Sequence, residues 1–302
     1  GKLKKKENKK GKQERKTRKE NKQMETKEQT QTHQTQEEKT YEPLYKPGEV
    51  MVLNTDNNIL PFPSAIDFVD VPVTFYSDVD YRPGNFRYYL RNIGRAAAGE
   101  ELVKTEKPDL DRYGKPIDYL KIKLVVVDTL TKLFEHILEH HKSIYTGKDL
   151  RQVFGNFQEE MKKLWIKLNK APFPIVFFSH LEELQDEVGL IDRRAYVPGK
   201  AMSGKIEAEF SVVLAATPSR YEKSSSKRYR FQTALMEGYT AKTPMGMFQE
   251  DELHIPNDIN FVIHKIKDYY PGIERIPNIL VNGASGTGKS TSLHNLIRRE
   301  SK

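Results

Sequence analysis

Apolar residues along this chain gather in short, nearly unbroken runs separated by amphipathic stretches. Val50–Asn54, Leu120–Asp128 and Pro174–Ser179 each read as a strand, Ile206–Ala216 as a further one, and Ile279 opens another. Unbroken apolar runs, rather than alternation, mark strands covered on both faces. Between the runs, apolar residues recur three and four apart. Leu130, Leu133, Phe134, Ile137 and Leu138 predict a helix over 129–141, and Met161, Leu164, Trp165 and Leu168 one over 155–169. Further helices are predicted over 86–98 and 257–270, the latter with Asp258 in its first turn and Pro271-Gly272 at its end. Pro61, Pro63, Pro72 and Pro83 exclude a long helix from 59–85 and leave one short strand at Val71–Tyr76. Residues 104–118 and 185–205 read as polar loops and 223–227 as a serine-rich tip, while Arg230–Met236 and Tyr239–Lys242 flank Glu237-Gly238 as a hairpin. This alternation predicts an α/β fold: a mostly parallel sheet with helices on both faces and an antiparallel hairpin at one edge.

Composition narrows the chemistry. The 302 residues include no cysteine, which excludes disulfides and thiolate metal sites. No apolar run approaches the ~20 residues of a membrane span, so no membrane partner is expected. The lysine-rich start lacks an apolar segment and does not read as a secretory leader. The net charge of +8 is unevenly placed: residues 1–40 carry 14 Lys/Arg against 7 Asp/Glu, and the remainder 36 against 35. Residues 1–40 therefore read as a basic low-complexity arm, disordered or partly helical, serving as an electrostatic tether or a solubilising linker. Residues 41–302 are the folded domain. His136 and His140 form an i, i+4 pair with His141 beside it, but without the Glu and third-ligand context of a zincin no metal site is expected. Arg87, Arg91 and Arg95 recur every four residues, with Arg82 just before, and lie on one helix face.

The chemistry concentrates near the C-terminus. Ile279-Leu-Val-Asn leads into Gly283, Ala284, Ser285, Gly286, Thr287, Gly288, Lys289 and Ser290, then Thr291, with eleven residues beyond. This matches G-x-x-x-x-G-K-[ST] between an expected strand and an expected helix. In that setting the glycines let successive amides face phosphate oxygens, Lys289 reaches the β- and γ-phosphates, and the Ser290 hydroxyl ligates Mg²⁺. Asp128, at the end of its strand, is the expected second Mg²⁺ ligand. Thr129 follows it rather than a second acid, so the water-activating acid is sought elsewhere: Asp56 first, Glu182 or Glu183 otherwise. His180 ends the next strand, where it can sense the γ-phosphate. The expected ligand is ATP with Mg²⁺, and the expected catalytic set is Lys289, Asp56, Asp128 and His180.

These parts resemble the RecA-like P-loop ATPases, and more closely the phage Sak-type proteins associated with single-strand annealing and recombination. The likeness rests on Ile279–Thr291, Asn54-Thr-Asp56 with Leu60-Pro-Phe62, Lys123–Leu130, Val176–Glu182, Thr240–Phe248 and Ile255–Asp258. The family runs P-loop, acid, Walker B, sensor, hairpin and helix; here the P-loop comes last, a cyclic rotation of that order. The tail Arg298–Lys302 and the start Gly1–Lys6 share one composition, as if a single basic loop had been opened. The family's acid is commonly Glu, where this chain has Asp56. The resemblance implies an ATPase acting on single-stranded DNA as a homo-oligomer in the cytoplasm of a bacterial or phage-infected cell. It also implies a basic residue supplied in trans, for which Lys205, Arg230 and Lys242 are candidates; the loop over 185–205 is either a DNA contact or a plain surface loop. Two other functions fit the same parts: a ring-forming DNA motor, or a nucleotide-binding interaction protein with little hydrolysis.

Overall fold

The structure is a computed structural model that describes residues 41–103, 105–145, 147, 149–199, 205–218 and 229–297. The arm over 1–40, residues 200–204 of the polar loop, the serine-rich tip and the tail 298–302 lie outside the described residues. The strands are β1 (Val50–Asn54), β2 (Val69–Pro72), β3 (Leu124–Asp128), β4 (Ile175–Ser179), β5 (Leu181–Gln185), β6 (Ile191–Ala195), β7 (Val212–Pro218), β8 (Tyr229–Gln232), β9 (His254–Pro256) and β10 (Ile279–Gly283). The helices are α1 (Phe86–Ala97), α2 (Leu130–Ile144), α3 (Leu150–Asn169) and α4 (Ile259–Tyr269).

Eight strands form one sheet in the order β2-β1-β3-β4-β10-β7-β8-β9. The first six run parallel, and β8 and β9 add an antiparallel edge. The unbroken apolar runs sit in the middle of this sheet because successive side chains face opposite sides, and both sides are covered. Met51, Leu53, Val125, Val127, Ile175, Phe177 and Leu280 join α1, α2 and α3 in one core. Val50, Val52, Leu124, Val126, Val176, Phe178, Ile279 and Val281 join α4 in the other. Each such side chain, fully buried, contributes on the order of 1.5–3 kcal/mol.

Each helix starts where a side chain satisfies a free amide. Asn85 accepts from Arg87 N, Thr129 from Lys132 N, Asp149 from Arg151 N and Asp258 from Asn260 N. A cap of this kind is worth about 1 kcal/mol. The Asp149 cap starts α3 five residues ahead of the predicted position.

Other boundaries also moved. The strand expected over 120–128 begins only at Leu124, after a 3-10 turn at Tyr119–Lys121. That expected at 206–216 begins at Val212, after a 3-10 turn at Ile206–Glu209. The short strand near residue 71 is Val69–Pro72. The hairpin around Glu237-Gly238 is reduced to a turn: both residues have positive φ, and one antiparallel bridge, Met236 to Tyr239, closes it, while β8 pairs with β9 and Lys242 bridges to Val213. The loop over 185–205 holds an antiparallel ribbon instead, with β5 on β6, pinned by Glu182–Arg194 and Glu183–Arg193 pairs at 3.1 and 2.9 Å. No helix among the described residues is long and apolar enough to cross a membrane.

Candidate functional site

Parallel strands deliver their C-terminal ends to one edge of a sheet, where ligands of such folds collect. Asn54 pairs with Asp128, Asp128 with Phe178, and Asn282 with Ser179, so the strand ends meet there. Residues from four chain segments converge on that edge.

The glycine loop leaves β10 and turns twice through positive φ, at Gly286 (+77°) and Gly288 (+75°). Alternation of such residues with negative-φ neighbours forms a concavity lined by backbone amides. Gly288 is also needed for space: a Cβ there would lie 2.8 Å from the Tyr229 ring and 2.9 Å from Asn257 Nδ2. Asn257 Nδ2 donates to the Gly288 carbonyl at 2.8 Å. Lys289 is buried, and its ammonium spans the loop, donating to the carbonyls of Gly283 at 2.8 Å and Ala284 at 3.0 Å. Burial brings that ammonium down to about 8, against the opposing pull of Asp128 and Asp56.

The loop continues as one 3-10 turn, Ser290–Leu293, and the predicted α-helix is corrected to that turn. The Ser292 hydroxyl bonds back to the Lys289 carbonyl at 2.5 Å, and Thr287 to Ala284 at 2.8 Å. Hydroxyl side chains that bond the local backbone compete with regular helix. Beyond the turn, Tyr45 N donates to the Leu296 carbonyl at 3.1 Å, and Asn295 donates to Asp258 at 2.8 Å.

Ser290 and Asp128 meet: the hydroxyl donates to Asp128 Oδ2 at 2.6 Å. Burial pushes the Asp128 carboxyl up to about 6, and Asp56 adds to the rise, while Ser290, Lys289 and His180 act against it. Asp56 stands beside this pair. His180 Nε2 is 3.6 Å from Asp56 Oδ2, long for a hydrogen bond, and the Thr129 hydroxyl donates to Asp56 Oδ1 at 3.4 Å. Burial works to raise Asp56, but His180, Lys132 and Thr129 outweigh it and leave the carboxyl below its usual range.

The connection between these carboxylates is tight. The Thr55 hydroxyl donates to the Thr129 carbonyl at 2.8 Å and accepts from Thr129 N at 2.6 Å. Thr55 N donates to the Asp128 carbonyl at 2.7 Å, and the Asp128–Thr129 peptide is cis. Thr131 Oγ1 accepts from His180 N at 3.0 Å and contacts Ser179 Oγ at 3.2 Å.

Lys289, Ser290, Asp128, Asp56 and His180 thus come together at one end of the sheet. Glu182 and Glu183 do not join them; their arginine partners hold both in the β5–β6 ribbon. Lys205 precedes the 3-10 turn at Ile206, Arg230 lies on β8, and Lys242 donates to the Ala208 carbonyl at 3.3 Å. No group of three or more His, Cys, Asp or Glu side chains that could hold a metal ion occurs among the described residues. Thr55, Thr129, Asn257 and Tyr229 were not foreseen as parts of the site. Asn282 was not either: it is fully buried in an apolar strand with neither amide atom bonded, and that lone polar residue was its only signal.

No protein family, curated protein or solved structure matches the chain.

Proposed function

We propose that the chain binds ATP with Mg²⁺ on the 283–291 loop and hydrolyses it, as a RecA-like P-loop ATPase of the Sak type in rotated order. Its setting is DNA recombination or single-strand annealing, with single-stranded DNA as partner and a homo-oligomer as the working form. The observation that carries the reading is the 2.6 Å contact of Ser290 with Asp128, groups 162 residues apart. A hydroxyl and a carboxylate oxygen side by side suit a hard cation that completes its shell with water and phosphate oxygens. Ser290 and Asp128 would hold Mg²⁺, which would supply positive charge to the bound phosphates. Lys289 adds a second charge from inside the loop, and the amides around Gly286 and Gly288 bind the remaining phosphate oxygens.

Asp56 orients the attacking water and accepts its proton as the new bond to the γ-phosphorus forms and the bond to the bridging oxygen breaks. Its low-lying carboxyl is ionised at neutral pH, as that role requires, and His180, 3.6 Å from it, is the residue assigned to sense the γ-phosphate. The rotated order is supported by β10, the last strand in sequence, lying inside the sheet between β4 and β7.

The test is ATP turnover with and without single-stranded DNA, in the wild type, Lys289→Ala and Asp56→Ala. Loss of binding and turnover in Lys289→Ala, with loss of turnover alone in Asp56→Ala, is expected. Unchanged turnover in Lys289→Ala would sink the assignment; unchanged turnover in Asp56→Ala would remove only the acid. A second reading, nucleotide binding with little hydrolysis, is favoured by Asp56 being already engaged by His180 and Thr129. Tight ATP binding without measurable turnover would select it.

A further inference from the structure

The arginine face of α1 does not take part in the site above. It borders a cavity of about 560 Å³, within the ~300–1,000 Å³ range of small-molecule sites. Pro172 and Phe173 line it, just ahead of the first residue of β4, whereas the glycine loop follows the last residue of β10. In a parallel pair of strands these are opposite edges of the sheet, so this cavity and the glycine loop are separate.

Arg87, Leu90, Arg91 and Gly94 recur at the spacing that puts them on one face of α1. Opposite them, Lys167 on α3 and Lys170 after it complete four cations around the cavity, and its lining contains no carboxylate. Only Arg87 of the four has an acidic partner among the described residues: Glu160, at 3.2 Å, which also receives the Tyr76 hydroxyl. The guanidinium groups of Arg91 and Arg87 lie over the Tyr81 ring, 5.0 and 5.7 Å from its centroid. Stacking on a ring fixes a guanidinium plane and leaves its N–H edges free for an oxyanion. Burial, with the charge of Arg87 adding to it, holds the Lys167 ammonium below the usual lysine range. The cations therefore outnumber the nearby carboxylates, Glu160 being bound to Arg87, around a concave space with apolar walls at Leu90, Leu164 and Phe173.

We propose that this cavity binds a phosphate-bearing nucleotide unit, the phosphate held by Arg91, Lys167 and Lys170 and the nucleoside against Tyr81, Leu90 and Phe173. That chemistry has two sources, a free mononucleotide or one unit of a single strand. The proposal does not depend on ATP at the glycine loop.

The experiment uses the full-length chain carrying Lys289→Ala, which removes the loop's own phosphate contact. Thymidine monophosphate is titrated by calorimetry and a fluorescent oligothymidylate by anisotropy. Arg91→Glu is expected to weaken the bound probe about tenfold or more. With the oligonucleotide it also lowers the salt dependence by about one counterion per lost phosphate contact. Gly94→Leu is the steric control: open space faces Gly94, so the new side chain enters the cavity, and replacing a helical glycine raises helix propensity by up to ~1 kcal/mol. It should weaken binding with the melting temperature unchanged or higher. Sensitivity of both probes marks a shared site, of the oligothymidylate alone a strand segment, and of the monophosphate alone a free nucleotide. Binding of neither probe, or binding indifferent to both substitutions, overturns the proposal. Failure of the ATPase assignment would appear instead as ATP turnover surviving Lys289→Ala.

Discussion

Replacing Asp128 by asparagine sets fold stability against the proposed chemistry. The carboxyl is buried and titrates at about 6, against 3.8 for the ordinary group. At 1.36 kcal/mol per pH unit, ionising it inside the fold costs roughly 3 kcal/mol. A raised carboxyl means that the fold prefers the protonated form. The cost is therefore absent below about pH 4, grows between about pH 4 and 6, and is complete above that. Asparagine keeps the shape and still accepts the Ser290 hydroxyl. The gain stays below the full figure, because the carboxylate also favours the Lys289 ammonium beside it. Urea unfolding at about pH 7.5, without nucleotide or Mg²⁺, should find Asp128→Asn more stable by about 1–3 kcal/mol, and the two proteins should converge near pH 4. Mg²⁺-dependent ATP binding by the same variant should fall about tenfold or more, since a ligand has lost its charge. A variant no more stable than wild type at neutral pH, or a difference that ignores pH, would refute the reasoning. The acid would then not sit in a setting that resists its charge.

Three more outcomes are expected. Gly288→Ala meets the Tyr229 ring and Asn257 from a φ of +75°; strain of about 1–3 kcal/mol should displace the loop and cut nucleotide affinity at least about tenfold, and calorimetry within twofold of wild type would contradict this. Thr55→Val removes two bonds of 2.6 and 2.8 Å from the buried Thr129 backbone. Stability should drop by about 2–4 kcal/mol in urea unfolding, and a loss below ~0.5 kcal/mol would mean that Thr129 is held by other contacts. His180→Ala takes away a neighbour that lowers Asp56, so the acidic limb of the pH–rate profile should move upward toward the ordinary carboxylate range while ATP binding persists; an unmoved limb would separate Asp56 from that limb.

The parts legible in the sequence were those where one force dominates. Val50–Leu53, Leu124–Val127 and Ile175–Phe178 are apolar on both faces, and only a doubly covered strand accommodates that. Asp128 and Ser290 were legible because a polar group at a strand end and another after a glycine turn have one common place to meet. The β5–β6 ribbon was not legible. Its strands are exposed and charged, and Glu182, Glu183, Arg193 and Arg194 hold it by cross-strand pairing rather than by apolar alternation. The hairpin at Glu237-Gly238 closes only across Met236 and Tyr239; its outer flanks find partners at His254–Pro256 and Val213, which local pattern does not encode. The missing helix after Lys289 has a local cause, the back-bonding of Ser292 and Thr287. Thr55 and Asn257 escaped notice because short polar residues near turns are common, and only the fold reveals which backbone group each one serves.

The place of β10 also bears on how the chain is made. Its bond partners on β4 are emitted by the ribosome about a hundred residues sooner; Ile175 N, for instance, waits for Asn278, 103 positions on. Until then the facing rims of β4 and β7 stay unpaired, and parallel pairing at such separation is slow to find. The nascent chain therefore holds the β4 and β7 sides of the sheet apart until the glycine-loop strand slides between them. Those rims are where a chaperone would bind or a neighbouring nascent chain would wrongly pair.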